Sequence, residues 1–254
     1  MKKISIITVC YNSAETIRDT IESVLSQDYP SIEYIIVDGA STDSTPEILQ
    51  EFEDRIDCII SESDRGIYDA MNKGISRASG DFIGILNSDD VYDNREVISL
   101  VVSSLETSGT ESLFADLCIV ERFRLEKVLR YCSAKNFSTG KIRWGMTIPH
   151  PTFFVSRAVY ERLGGYRLGY RVSADFELIA RFLYCNRVSY SYLPRSIIRM
   201  RQGGVSTSGI LGRIQQNFEI VRACRENEIY TNIFMISIKI PFKLFEFLRG
   251  LRAS

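Results

Sequence analysis

Ile83-Gly84-Ile85-Leu86-Asn87-Ser88-Asp89-Asp90 is an apolar run that stops in a pair of acids. It is the last of four such runs near the start of the chain. The others stop in Thr8-Val9-Cys10-Tyr11-Asn12, in Asp38-Gly39-Ala40-Ser41-Thr42-Asp43 and, shortly after residues 58–60, in Asp64-Arg65-Gly66. Helical patterning occupies residues 13–26, 45–52 and 68–78, so 4–9, 34–37, 58–60 and 82–86 read as the strands of a βαβαβαβ order. That order predicts an α/β fold with a mostly parallel central sheet. The strands are nearly all Ile and Val, as expected where helices cover both faces. Asn12 with Glu15 and Ser44 with Glu47 have capping-box spacing, and Pro46 suits a first helical turn.

In an open parallel sheet ligands bind at the carboxyl ends of the strands, and three of these four ends carry acids. Neither GxGxxG nor GxxxxGK[ST] occurs in the chain, which removes the main support for dinucleotide and P-loop chemistry. Paired carboxylates after an apolar strand suit a hard divalent cation that keeps several waters and bridges to a diphosphate. Acids alone would repel the diphosphate, and the cation inverts that sign. An Asp-Asp pair also serves turns and helix caps; its place after the fourth strand favours the ligand reading.

From residue 112 the alternation gives way to a hairpin (113–120 and 123–131) and a Gly/Pro/Ser-rich stretch (133–151). Residues 38–96 hold 15 acids against 5 bases, and residues 121–143 hold 7 bases against 2 acids. One half reads as built for a cation and the other as facing anions, although solvated faces explain the split equally well. The chain has 254 residues, 31 Lys+Arg against 32 Asp+Glu and 45% hydrophobic residues, so a strongly basic nucleic-acid binder is disfavoured. We expect one domain over residues 1–228, with a nucleotide-binding half (1–111) and an acceptor-side half (112–228), followed by a tail (229–254). The tail reads as a basic amphipathic helix broken near Pro241 that lies on a membrane surface, and equally as a terminal helix packed on the core or at a dimer interface. The N-terminus has no signal-peptide pattern and no apolar run reaches membrane-spanning length, so a cytoplasmic protein is expected. Six scattered cysteines and a single histidine suggest neither a disulfide framework nor a zinc site.

Taken in order, residues 5–12, 36–45, 64–74, 80–83 and 87–90 resemble the motifs of family 2 glycosyltransferases, inverting enzymes of the GT-A, Rossmann-like fold. Thinner matches follow at His150-Pro151-Thr152-Phe153-Phe154, Leu163-Gly164-Gly165-Tyr166, Ala174-Asp175-Phe176-Glu177-Leu178 and Gly203-Gly204-Val205-Ser206. The resemblance implies that Thr8 and Tyr11 line a nucleotide pocket with Asp69 and Lys73, and that Asp38 reads the base edge. It implies Asp89 beside the ribose and metal, with Asp90 the direct ligand of Mn²⁺ or Mg²⁺. Asp175 matches the catalytic base, and is otherwise read as a helix-capping acid. His150 is expected at the acceptor or diphosphate, or else as a packed loop histidine. Arg199 and Arg201 are expected in a lid over the pyrophosphate, or else in a solvated loop.

Many members have Arg where Met71 stands and Asp where Asn87 stands, which puts a nucleotide contact and one outer acid in question. The QxxRW motif and membrane helices of processive synthases are missing, so transfer of a single sugar is expected. Residues 67–74 are similar to those of bacterial enzymes that build exopolysaccharide or O-antigen units on lipid carriers. The implied partners are a UDP- or GDP-sugar donor and a lipid-linked or saccharide acceptor, at the inner face of the plasma membrane. Two rival readings are a non-catalytic nucleotide-sugar or glycan-binding subunit of the same fold and a nucleotidyltransferase.

Overall fold

A computed structural model describes residues 1–203 and 209–237. The expected alternation is present: β1 (Ile4–Cys10), α1 (Ile17–Leu25), β2 (Ile32–Asp38), α2 (Thr45–Glu51), β3 (Cys58–Ser61), α3 (Ile67–Arg77) and β4 (Phe82–Ile85). The second half supplies β5 (Asp90–Tyr92), α4 (Val97–Ser108), β6 (Ser112–Glu121), β7 (Arg124–Cys132), β8 (Phe154–Ser156) and α5 (Arg157–Leu163). These are followed by α6 (Ala174–Ile179), β9 (Tyr190–Arg201), α7 (Gly209–Glu226) and α8 (Ile233–Ser237). One sheet runs through both halves in the order β3-β2-β1-β4-β8-β6-β9-β5, with β7 paired to β6. The first four strands are parallel. The expected parallel character ends there, because β8 is antiparallel to both β4 and β6 and β5 is antiparallel to β9, whereas β6 and β9 run parallel.

Alternation along β1 sends Ile7 and Val9 to one face and Ile4, Ile6 and Cys10 to the other, and each face has its own buried cluster. The first cluster joins α3 to the acceptor-side half; the second packs α1, α2 and α4. Gly74 decides how close α3 comes, since a β-carbon there would stand 2.4 Å from Ile7 Cγ2.

The capping-box expectation is not met. Helix α1 starts only at Ile17, and Asn12 takes a left-handed φ of 50°. Its amide oxygen instead accepts the backbone N–H groups of Thr42 (2.8 Å) and Asp43 (3.4 Å), tying the end of β1 to the loop after β2. Ser44 precedes α2 but makes no side-chain cap. Asp43 does that work for both helices' approaches, accepting from Thr45 N (3.0 Å) and Ala14 N (3.1 Å).

At the amino ends of the strands Glu33 accepts from Lys3 Nζ (2.8 Å), Ser5 Oγ (2.5 Å), Ser79 Oγ (2.5 Å) and Ser79 N (2.7 Å). Behind the second half, fully buried Glu177 takes Arg181 Nε (3.0 Å), Arg167 (3.2 Å) and Asn227 Nδ2 (3.1 Å). Arg181 in turn donates to the carbonyls of Leu163, Gly164 and Gly165, latching that loop to α6. After α6 the backbone continues as a π-helical turn, Ala180–Cys185.

The expected tail begins on the core: Ile229 and Ile236 are buried, and Thr231 donates to the Arg143 carbonyl (2.6 Å). Its remaining residues, 238–254 with Pro241, lie outside the described residues. Among the described residues no helix is long and apolar enough to cross a membrane.

Burial pushes the Glu33 carboxyl up, but the Lys3, Ser5 and Ser79 donors outweigh it and hold the group at about 2, against an ordinary 4.5. The unfolded chain therefore binds the extra proton, and this stabilisation is complete above pH 4.5 and lost as pH falls through about 2. Glu33→Gln should lower the melting temperature at pH 7 and flatten its fall across that acid range, read by thermal melts against pH. Arg181→Met leaves the Glu177 charge without its main partner, and urea unfolding should report a loss of about 3 kcal/mol.

Candidate active site

The carboxyl ends of β1, β2 and β3 lie side by side. Tyr11 stands there 63% exposed. Beside it, the absence of a side chain at Gly39 makes room for Asp64: a β-carbon at 39 would lie 2.5 Å from Asp64 Oδ2 and 3.4 Å from the Tyr11 ring. The other Asp64 oxygen accepts from Gly66 N (2.7 Å). Ala40, next to Gly39, is held at a left-handed φ of 60°, a strained position for a residue with a β-carbon.

Two expected pocket residues are fully buried. Thr8 is 0% exposed and its hydroxyl shares a 3.1 Å hydrogen bond with Tyr34, because strand alternation turns it into the α1 side of the sheet. Asp38 is also 0% exposed, and its carboxylate is taken by Ser41 Oγ (2.5 Å), Ser41 N (3.2 Å) and Ser61 Oγ (2.7 Å). Asp38 thus shapes the β2 loop, while half-buried Asp64 sets one oxygen against Gly39 and the other on Gly66 N. Its sequence signal, an acid two residues before Gly66 after the third strand, was visible but carried no assigned role. Asp69 accepts from Arg65 N (3.0 Å), and Lys73 bonds the Ser63 carbonyl (2.8 Å) and Glu62 (2.9 Å). Both fasten the loop between β3 and α3.

Beside β1 lies the turn from β4 into β5. Pairing of β5 with β9 buries Asp90 to 1% exposure, with one carboxylate oxygen on Asn87 Nδ2 (3.3 Å). The other oxygen of Asp90 and the Asn87 Oδ1 are buried and have no hydrogen-bond partner among the described residues. Asp89 is partly exposed, and Asp90 stands behind it. Burial, then the Asp89 charge, raises the Asp90 carboxyl well above the usual range. Burial also raises Asp89, while Arg122 and Arg201 draw it back.

Among the described residues no three His, Cys, Asp or Glu side chains gather as a metal cage. A cation that keeps its waters and binds through one or two carboxylates plus substrate phosphates needs no such cage. The open Asp89 and the unpartnered Asn87 and Asp90 oxygens fit that donor chemistry.

The two arginines belong to strand β9 rather than to a solvated loop. Arg201 is 4% exposed, with its guanidinium on Asp19 and the Arg122 carbonyl (2.5 Å), close enough to act on Asp89. Arg199 is neutralised by Asp93 (2.8 Å) and bonds the Leu125 carbonyl (2.9 Å), away from the acids of the turn. The lid expected to carry Arg199 and Arg201 is replaced at both positions by strand β9, and residues 204–208 beyond them lie outside the described residues.

Asp175 sits in the first turn of α6, half-buried. Burial raises its carboxyl, against the field of His150, the Phe176 N–H (2.8 Å) and the Tyr68 hydroxyl. His150 is placed beside it in a short 3₁₀ turn, His150–Thr152, sharing a 2.5 Å hydrogen bond with Tyr166 Oη. Burial lowers the His150 pKa, against the pull of the Asp175 charge. Tyr68 of α3 stacks on Tyr166 at 5.6 Å. The fold thus gathers Asp175, His150, Tyr68 and Tyr166; of these, the two tyrosines had no expected role.

Comparison with known proteins identifies the family and the fold. The family profile "Glycosyl transferase family 2" matches residues 5–164. The chain is 33% identical over 190 residues to the uncharacterized glycosyltransferase Rv1514c of Mycobacterium tuberculosis (strain ATCC 25618 / H37Rv), covering 73% of this chain and 71% of that one. Staphylococcus aureus TarS 1-349 in complex with UDP-GlcNAc superposes with a TM-score of 0.71 at 19% identity, over 89% of this chain and 66% of that one. The mannosyltransferase PcManGT from Pyrobaculum calidifontis, in complex with GDP-Man and Mn²⁺, gives 0.65 at 20% identity, over 89% and 64%. The chain therefore spans just under two-thirds of each of these two structures, which share its fold. By the profile match, the relative and the shared GT-A architecture, the chain belongs to glycosyl transferase family 2.

Proposed function

We propose that this glycosyltransferase moves one sugar from a UDP- or GDP-sugar to a hydroxyl of a lipid-linked or saccharide acceptor in bacterial surface polysaccharide synthesis, with inversion and with Mn²⁺ or Mg²⁺. The observation that carries the reading is the presence of two unlike carboxylate settings, one in the turn between β4 and β5 and one in the first turn of α6. Asp89 opens beside unpartnered Asn87 and Asp90 oxygens, and Asp175 is held apart from them in a tyrosine- and histidine-lined recess. Both structural neighbours are in complex with a nucleotide sugar, and one also with Mn²⁺.

Asp89, backed by Asn87 and Asp90, would hold the cation. When bound, the cation neutralises charge on the departing nucleoside diphosphate. Tyr11 offers a ring face to the base, and Asp64 offers an acceptor to its N–H edge; that edge exists in uracil, thymine and guanine, so the base is open. Arg201 lies where a diphosphate would approach Asp89. Asp175 takes the proton of the acceptor hydroxyl as that oxygen attacks the anomeric carbon, and its raised carboxyl makes it a better base than an ordinary aspartate. One displacement, with the base on the acceptor side, inverts the anomeric centre.

The exposed basic hairpin supports an acceptor at an anionic membrane surface on the cytoplasmic side. Phe123 and Val128 are exposed there among Arg122, Arg124, Lys127 and Arg130.

UDP, GDP or dTDP with Mn²⁺ should raise the melting temperature of the full chain. At a hundredfold excess over Kd the rise should be about 5 °C or more. Asp89→Ala should abolish the Mn²⁺-dependent part of that rise. No rise with any nucleotide overturns the donor-site reading. Asp175→Asn should keep the nucleotide shift and lose transfer by about 10²–10⁴-fold. Retained transfer removes Asp175 from the role of base and leaves the donor site standing.

A further inference from the structure

We propose that a cleft at the amino end of β9, on the acceptor-side half, is a second saccharide site that takes a sugar bearing a negative charge, carboxylate or phosphate, away from the reacting groups. The saccharide class rests on the acceptor proposed above. The cleft has a volume of about 550 Å³ and opens to solvent. Leu183 and Val188 line it and are each 2% exposed, and the Tyr190 ring beside them is held by Phe114 at 5.5 Å and Phe137 at 5.9 Å. Tyr184 adds a second ring, 38% exposed. A tyrosine presents a flat apolar face with a polar tip, which matches the C–H face and the hydroxyls of a pyranose.

The polar groups of this cleft are free to bind. The Tyr184, Tyr190 and Thr139 hydroxyls and the Arg187 guanidinium have no hydrogen-bond or ion-pair partner among the described residues. Ser189 also lines the cleft and is tied to Glu111, whose charge is met by Arg162 at 2.9 Å. Arg187 is therefore the unbalanced charge of the lining. A guanidinium fork pairs with two oxygens of a carboxylate or a phosphate.

The local backbone does not explain an arginine here. Arg187 follows the π-helical turn Ala180–Cys185 and takes a left-handed φ of 50°. The turn is closed by Asn186 N (3.0 Å) and Nδ2 (2.7 Å) on the Arg181 carbonyl and by Val188 N on the Phe182 carbonyl (3.0 Å). None of these bonds uses the Arg187 side chain. Glycine would close the same turn without strain, so the guanidinium answers to something outside it.

The cleft is also separate from the donor site. Strand β9 runs from Tyr190 at the cleft to Arg201 at the other end of the sheet, about 35 Å away. From Asp175 the path through α6 and the π-helical turn reaches Tyr184 in nine residues, roughly 13 Å. A sugar seated here is held by the acceptor-side half and does not itself react.

The test is isothermal titration of the full chain, with UDP or GDP and Mn²⁺ present to fill the donor site. One pair of probes is a tetrasaccharide of alternating glucuronic acid and N-acetylglucosamine and a neutral tetrasaccharide of N-acetylglucosamine. The other pair is glucose 1-phosphate and glucose, with inorganic phosphate as the free anion. At least one acidic probe should bind about tenfold or more tightly than its neutral counterpart and than inorganic phosphate, and the pair that responds names the anion. Arg187→Gly should remove that preference and keep the melting temperature close to that of the wild type, since glycine suits the left-handed turn. Tyr184→Ala should weaken acidic and neutral saccharides alike. No binding, a neutral probe or inorganic phosphate that binds as tightly, or affinity unchanged in either variant overturns the site. Displacement of the probe by UDP or GDP with Mn²⁺ also overturns it. The donor-site reading fails on a different result, the lack of any nucleotide-dependent rise in melting temperature.

Discussion

Gly74 lets α3 lie against β1 so closely that a β-carbon there would stand 2.4 Å from Ile7, and this approach fixes where the far face of the helix reaches. Two residues back along the helix is about 200° around it, so Asn72, with Tyr68 a turn earlier, points away from the sheet toward the acceptor-side half. The same helix begins beside the loop that presents Asp64 and is fastened by Asp69 and Lys73. One rigid element thus borders the nucleotide end of the sheet, packs on its central strand and holds Tyr166 next to Asp175. The spacing between donor and acceptor chemistry is set by a helix rather than by loops, which suits a displacement sensitive to small misplacements.

The acids at the strand ends divide by what else they touch. Asp38 and Asp43 spend their oxygens on serine, threonine and backbone donors, and they hold the loops in shape. Asp64 and Asp89 are only partly buried, and the backbone satisfies only part of the Asp64 carboxylate's capacity. The buried members make the exposed ones possible. Strained left-handed residues at Asn12 and Ala40 mark where the two loops are forced to interlock. Glu177 and Arg181 repeat the pattern behind α6, where a buried pair spends its remaining donors on the loop that leads to Tyr166.

Much of the fold was legible because the early strands are long apolar runs separated by periodic helices. β1 and β2 pair over seven residues, and their carboxyl ends were rightly the place to look. The hairpin of β6 and β7 was legible for the same reason. β8 was not, since Phe154–Ser156 is too short to show a period, and its antiparallel insertion between β4 and β6 turns a parallel sheet into a mixed one. Arg199 and Arg201 looked like loop residues beside Gly203-Gly204, yet pairing with β5 and β6 draws them into β9 and decides which one lies near Asp89.

The chemical types present at each strand end were determined by the sequence alone, as were the order of the first four strands, the family motifs and the presence of an acid at the start of the helix after Ser173. Only the tertiary structure decided which acids are open and which are spent. Thr8 and Asp38 turn inward because strand alternation and nearby hydroxyls claim them, and Asp90 is closed because β5 pairs with β9. Tyr68 meets Tyr166 because a glycine three residues before the helix end lets α3 sink against the sheet until its other face reaches the acceptor-side half. Exposure and partnership depend on segments far apart in the chain, and no local pattern records them.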